Sequence, residues 1–230
     1  LKTLIMNRII GQVLACPSSL CIEDNHLFSN VISSIMKAQQ DKSEPFYLFD
    51  GDEKELSPAK DIKVILSPFD FDFNSKDIQN KIFSICELNI NSDTEKQHIM
   101  EQYYSTFIKS FVECADLYEN NFDIELEFDI KKILKFLGVK INYDNSCSLF
   151  EKTLQIIEII AQLKLSRLIV FVNLKLYFNN EEVEQIYKTA IYNQINLLTI
   201  EQGKPNEILK YEKSIYIDKD YYWEELSLKN

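Results

Sequence analysis

A chain of 230 residues, 46% hydrophobic and 27% charged, has the apolar material for one sizeable domain or two modest ones, and its apolar runs are too short to span a bilayer. A formal net charge of -11 repels nucleic acid at long range, so any such binding needs a local basic face or an assembled surface. Only Gly11, Gly51, Gly138 and Gly203 are glycine, which leaves no place for a glycine-rich phosphate cradle.

In chain order, "SSLCIED" (Ser18 to Asp24) reads as an apolar strand. The following "HLFSNVISSIMKAQQ" sets Leu27, Phe28, Val31, Ile32, Ile35 and Met36 on one helical face. "PFYLFDGDE" and "KVILSPFDF" predict two more strands of the same half-domain, separated by the turn-forming and charged "GDEKELSPAKD". "SKDIQNKIFSICELNI" returns to helix with Ile78, Ile82, Phe83 and Ile85 inward. From Asp93 an unbroken stripe, including Met100, Tyr103, Tyr104, Phe107, Ile108, Phe111 and Val112, predicts one helix over Glu95 to Glu119, about 37 Å long, standing out from the sheet. Its expected partner is "IKKILKFLG", where Ile130, Ile133, Leu134 and Leu137 follow helical spacing and Gly138 supplies the C-terminal cap.

The second half resumes α/β grammar. "SLFEKTLQIIEIIAQL" opens on a capping box, Ser148 with Glu151, and "RLIVFVN" has the continuous apolar character of a central parallel strand. The helix "NNEEVEQIYKTAIYNQ", the strand "INLLTIEQG" and a last strand in "KSIYIDKD" follow, with right-handed crossovers implied by the short connections. The fold class is therefore α/β: a mostly parallel sheet head with flanking helices over residues 1–74 and 145–230, interrupted by a protruding α-helical leg over 75–144.

The chemistry-bearing residues concentrate in "NNFDIELEFDIKKILKFLGVK", Asn120 to Lys140. Asp123, Glu125, Glu127 and Asp129 alternate with apolar residues, and Lys131, Lys132, Lys135 and Lys140 follow with no acid among them. In an extended chain the four acids share one face. Two carboxylates about 5 Å apart repel by about 3 kcal/mol at an effective dielectric near 20, before solvent screening. Such a face is either the solvated side of an edge strand or loop, or a site for a hard divalent cation, calcium rather than zinc because no His or Cys is present. The lysines read first as a solubilising helix face.

Elsewhere the signals are bland. Cys16, Cys21, Cys86, Cys114 and Cys147 form no C-x-x-C pair and read as core thiols, and His26 and His98 read as surface or helix-face residues. Asp70 and Asp72 sit where an NTPase carries an acidic strand end, but the turn "EDNHLF" after the first strand lacks Gly-Lys-Ser/Thr, so strand-end capping is expected. There is no helix-turn-helix, zinc finger or aromatic RNA-binding signature for base readout. The opening "LKTLIMNRIIGQVLA" lacks a signal-peptide cleavage site, and the expected location is cytoplasmic.

The order "LKFLGVKI", "LFEKTLQIIEII", "RLIVFVN", "NEEVEQIYKTAIYNQINLLTIE", preceded more loosely by "SSLCIEDNHLFSNVISSI", "FYLFD" and "FDFNS", resembles the short, ring-forming CRISPR-associated adaptation protein of type II-A systems. The resemblance implies a split α/β head, a helical leg, and four subunits closed into a calcium-stabilised ring around double-stranded DNA. It implies a non-catalytic role in spacer acquisition, with the integrase complex and the RNA-guided effector nuclease as partners. The family's calcium-associated acidic segment sits just before the lysine-bearing helix. Asp123 and Glu125 match it, Glu127 matches in charge, and Asn121 stands where an acid is usual.

Lys135, Lys140 and Lys152 align with family lysines. The resulting expectation is a DNA surface of Lys131, Lys132, Lys135, Lys140 and Lys152, and a Ca2+ site of Asp123, Glu125, Glu127 and Asp129. Two or three effective lysines per subunit in a tetramer would neutralise about 8 to 12 phosphates. The rivals are a protein-interaction scaffold with a degenerate NTPase-like head that ignores DNA, and a metal-dependent nuclease, which lacks an evident general base.

Overall fold

The structure, a computed structural model, describes residues 17–40, 48–49, 54–115, 127–144 and 146–226. It divides into two compact units, Leu1–Asp72 with Asp144–Asn230, and Phe73–Tyr143.

The first unit is built on a six-stranded sheet of order β4-β5-β6-β1-β7-β8, formed by β1 (Ser18–Ile22), β4 (Ile62–Ile65), β5 (Leu168–Val172), β6 (Asn196–Gln202), β7 (Lys213–Ile217) and β8 (Trp223–Leu226). Every pairing is parallel except β7 with β8. β1 and β5 are buried along their whole length, as their uninterrupted apolar character requires of strands covered on both faces. Helix α1 (Asn25–Gln40) lays Val31, Ile35 and Ala38 on a core shared with Leu20, Ile22, Val170, Leu198 and Ile200. Strand alternation turns Ile169, Phe171 and Leu197 to the opposite face, which α6 (Leu149–Gln162) and α7 (Asn180–Tyr192) cover with Ile156, Ile157, Ile160, Val183 and Ile186. Burying each such side chain contributes about 1.5–3 kcal/mol.

Both covering helices start on complete capping boxes, Ser148 with Glu151 and Asn179 with Glu182. Replacing Ser148 by alanine strands the Glu151 N–H that its hydroxyl accepts from at 3.2 Å. The expected loss is about 1 kcal/mol, read as a lower urea midpoint at unchanged slope.

Three elements depart from expectation. In the run "PFYLFDGDE" the described residues form β2 (Leu48–Phe49), which pairs antiparallel with β3 (Glu55–Leu56) in a separate two-stranded sheet. Apolar content marks a strand, but closing the short loop to a neighbour in sequence costs less entropy than reaching the main sheet. In "KVILSPFDF" the strand stops at Ile65, because Pro68, which has no N–H to donate, opens a 3-10 turn capped by Ser67. Asp70 lies within that turn rather than at the strand end. Strand β8 is exposed, so it lacks the alternation that would have revealed it. The short helix α2 (Pro58–Asp61) leads into β4.

The second unit consists of α3 (Lys76–Asn91), α4 (Thr94–Cys114) and α5 (Ile130–Phe136). Its two ends are tied: Asn74 accepts from the Ile141 N–H at 2.8 Å and donates to the Ile141 carbonyl at 3.2 Å, and the Phe73 and Tyr143 rings stack 4.6 Å apart. Helix α4 is 21 residues, about 31 Å, and ends at Cys114 instead of Glu119. Residues 116–126 lie outside the described set. Val112 is the one buried residue of α4.

The seven-residue α5 is too short to cover the α4 stripe, and it packs mainly on α3 rather than on α4, its expected partner. Gly138 caps α5 as expected: at φ +65° it completes a pair of closing bonds, Gly138 N–H to the Lys135 carbonyl and Val139 N–H to the Leu134 carbonyl. The reading of the cysteines as core thiols holds for Cys21 and fails for Cys114, which is exposed.

Candidate nucleic-acid interface

Four of the five expected DNA-binding lysines fall in the second unit, on or just after α5. Lys131, Lys132, Lys135 and Lys140 are all exposed, but their surroundings differ. The Lys131 ammonium is 2.9 Å from a Glu87 carboxylate oxygen on α3, an ion pair that would have to open or be shared for a phosphate to bind. Lys132 flanks an apolar groove between α4 and α5. Lys135 stands in the last turn of α5, where the helix dipole favours a cation. Lys140 follows the glycine cap. Lys152 belongs to the first unit, where its ammonium donates to the Phe69 carbonyl at 2.6 Å.

Of the expected calcium ligands, Asp123 and Glu125 lie outside the described residues. Glu127 is exposed in the segment entering α5. Asp129 is the N-cap of α5, and its Oδ1 accepts from the Lys132 N–H at 3.0 Å. Both are hard oxygen donors of the kind calcium takes, and the capping bond uses one Asp129 oxygen. Among the described residues no three His, Cys, Asp or Glu side chains come close enough to hold a metal ion.

The uncovered stripe of α4 is the largest surprise of this unit. Tyr103, Phe107, Phe136 and Leu137 line a groove of about 490 Å³ while remaining 72%, 53%, 79% and 65% exposed. These four side chains leave a contiguous apolar surface along α4 and the end of α5.

A sequence profile of the family described as CRISPR-associated protein (Cas_Csn2) matches residues 39–221. The chain belongs to the Csn2 family. Among its relatives, CRISPR-associated protein Csn2 of Streptococcus agalactiae is 30% identical over 212 residues, covering 91% of each chain. The Csn2 of Enterococcus faecalis is 26% identical over 204 residues, 88% of this chain and 89% of that one. A crystal structure of Stu0660 of Streptococcus thermophilus shares the fold, with a TM-score of 0.55 at 11% identity, over 88% of this chain and 70% of that one.

This member of the Csn2 family also carries a polar site that sequence reading passed over, at the carboxyl ends of β1, β5 and β6. Glu212 is fully buried there and saturated. The Lys175 ammonium lies 2.9 and 2.8 Å from its two oxygens, the Tyr187 hydroxyl donates to it at 2.7 Å, and the Leu209 N–H donates at 2.9 Å. Burial and the adjacent Glu212 charge push the Tyr187 phenol well up.

Glu201, 8% exposed, faces the same cleft; burial raises its carboxyl to about 7, against the lowering pull of the Lys175 N–H and ammonium and the Thr199 hydroxyl. Its register partner on β1 is Cys21, whose thiol burial also pushes up. One signal in the sequence could have found it: an acid inside the otherwise apolar strand "NLLTIEQ". The two histidines are exposed, His98 sharing a 2.9 Å hydrogen bond with Gln102.

Proposed function

We propose that this Csn2-family protein acts in CRISPR adaptation as a non-catalytic homotetrameric ring that grips double-stranded DNA without regard to sequence. The observation that carries the proposal is the adjacency, at the end of α5 and just after it, of an uncovered apolar surface and exposed cations: Phe136 and Leu137 directly follow Lys135, and Lys140 lies three residues beyond. A monomer of net charge -11 is repelled by DNA. Covering the groove with further copies would bring several such cationic edges together, and symmetry would multiply a weak local charge into a continuous lining.

Calcium supplies a hard positive charge for the acids before α5. Asp123, Glu125, Glu127 and the remaining Asp129 oxygen would hold it and fix the entry to the lysine-bearing helix. The integrase complex and the RNA-guided effector nuclease are the partners this role requires. Among the described residues no helix is long and apolar enough to cross a membrane.

Light scattering of the full chain, with calcium or with chelator, is expected to give four times the 27.0 kDa chain mass in calcium and less without it. Anisotropy against linear duplex should show binding that steepens with falling salt. Phe136→Asp is expected to lose assembly and DNA binding together. A chain that stays monomeric at micromolar concentration in both buffers, or that ignores duplex at every salt concentration, removes the proposal.

One observation favours the scaffold reading instead. Lys131 and Lys152 already have internal partners, Glu87 and the Phe69 carbonyl, so part of the cationic set is structural. That reading predicts a stable oligomer indifferent to DNA and to replacement of Lys131, Lys132, Lys135 and Lys140 by glutamate.

A further inference from the structure

The cleft at the carboxyl ends of β1 and β6 lies at a point the topology singles out. From β1 the chain continues towards β4 at one edge of the sheet, and from β6 it continues towards β7 in the opposite direction. Neighbouring parallel strands whose connections run in opposite directions mark the crevice where α/β sheets bind ligands. This crevice encloses about 490 Å³, within the range of small-molecule sites. Cys21, Asn173, Asn180, Glu201, Gln202 and Asn206 give it a polar lining, and none of its lining residues is aromatic.

Two carboxylates meet at the floor and differ in one respect. Glu212 receives four donor contacts, so its acceptor sites are filled. Glu201 receives the Lys175 N–H at 3.3 Å, which leaves at least half of its acceptor sites facing the cleft. A buried, half-satisfied carboxylate is costly, and a chain selected for stability alone would carry a glutamine or an apolar residue.

The cations nearby do not fill the vacancy. Lys175 is committed to Glu212, and the Lys204 ammonium sits over the Tyr216 ring, 5.7 Å from its centre. Glu207 at the rim accepts from the Asn180 side chain and adds a second negative charge. With Glu201 ionised, Glu201, Glu207 and Glu212 against Lys175 and Lys204 leave one net negative charge around the pocket, beside the open acceptor sites of Glu201.

We propose that this cleft binds a small organic cation, a primary ammonium or guanidinium group whose N–H donors seat on Glu201. The surrounding amides order the rest of the ligand. Binding requires the ionised carboxylate. Its charge is set chiefly by burial, Lys175 after β5 and Glu212; the other titratable groups around it are Cys21 on β1, Tyr187 on α7, and Lys204 and Glu207 on the pocket lining. The inference is independent of the DNA reading, since no lysine or acid of the second unit takes part.

Titration calorimetry of the full chain at pH 8 with agmatine and with n-butylamine tests it, with N-butylurea as the neutral control and acetyl-arginine amide as the surrogate for a partner's side chain. Saturable heat is expected for agmatine or acetyl-arginine amide, whichever source is the natural one, and about tenfold or more weakening for N-butylurea and for Glu201→Gln. Affinity should fall about a hundredfold from pH 8 to pH 5 as Glu201 takes up its proton. Glu201→Gln, being isosteric and neutral, is expected to fold. No saturable heat with any cation, equal binding by Glu201→Gln, or binding that ignores pH overturns the proposal. So does calcium displacing the organic cation at this site.

Discussion

Alanine at both Lys135 and Lys140 is expected to weaken binding to linear duplex DNA by about a hundredfold or more near 150 mM salt, and to flatten its salt dependence. The two side chains are exposed, whereas Lys131 is paired with Glu87. In a tetramer the double replacement removes about eight cations, and at about 0.9 counterion per phosphate the logarithmic salt slope should shrink by about 7. The folded state should hardly notice. Exposed substitutions cost within about 0.5 kcal/mol, and the dipole contribution of Lys135 adds about 0.3–1 kcal/mol at most. Anisotropy titrations at four salt concentrations, with thermal melts alongside, separate the two effects. Lys131→Ala alone should flatten the slope less. An unchanged slope in the double variant would place phosphate contact elsewhere on the molecule.

Glu201→Gln should raise thermal stability at pH 8 and leave it unchanged near pH 5. The Glu201 carboxyl rises from an ordinary 4.5 to about 7 on folding, chiefly because burial disfavours the anion. The native state therefore holds this proton more tightly than the unfolded chain does. Its stabilising contribution is complete below about pH 4.5, is lost as pH rises towards 7, and stays lost above. The penalty carried by the wild type at pH 8 is on the order of 3 kcal/mol.

Glutamine has no proton to lose and escapes that penalty, so the variant should melt roughly 5–10 °C higher at pH 8. Melting curves at pH 5, 6, 7 and 8 check it. A variant offset that is the same at every pH would show that Glu201 does not titrate on unfolding. A gain in stability together with loss of cation binding is the pattern of a residue kept for function.

The parts of this fold that could be read directly were those specified by local pattern. β5 is a run of five buried apolar residues, the α6 capping box is formed by Ser148 and Glu151, and Gly138 takes the left-handed conformation that only a glycine adopts cheaply. Each depends on residues a few positions apart. The misreadings turned on which partner a segment takes, which its own pattern does not state. Leu48–Phe49 pairs with Glu55–Leu56 and not with the main sheet, Trp223–Leu226 is a strand by pairing with β7, and the α4 stripe is wider than seven-residue α5 can cover. In the candidate interface, the charge reversal between Asp123 and Lys140 was plain from composition, while the pairing of Lys131 with Glu87, some forty residues away, was not.

The order of residues by itself determined the α/β class, the places of its long helices, the caps at Ser148 and Gly138, the Csn2 likeness, and the abrupt step from acids to lysines around the start of α5. All follow from periodicity and neighbouring charges, which act over one or two turns of chain. Only the tertiary structure decided which lysines are already engaged, which apolar face is left bare, and that Glu201 ends half-satisfied beside a saturated Glu212. Burial and hydrogen-bond satisfaction are set by what the rest of the chain brings alongside a residue, and strands β1 and β6, nearly two hundred positions apart, meet only once the sheet has closed.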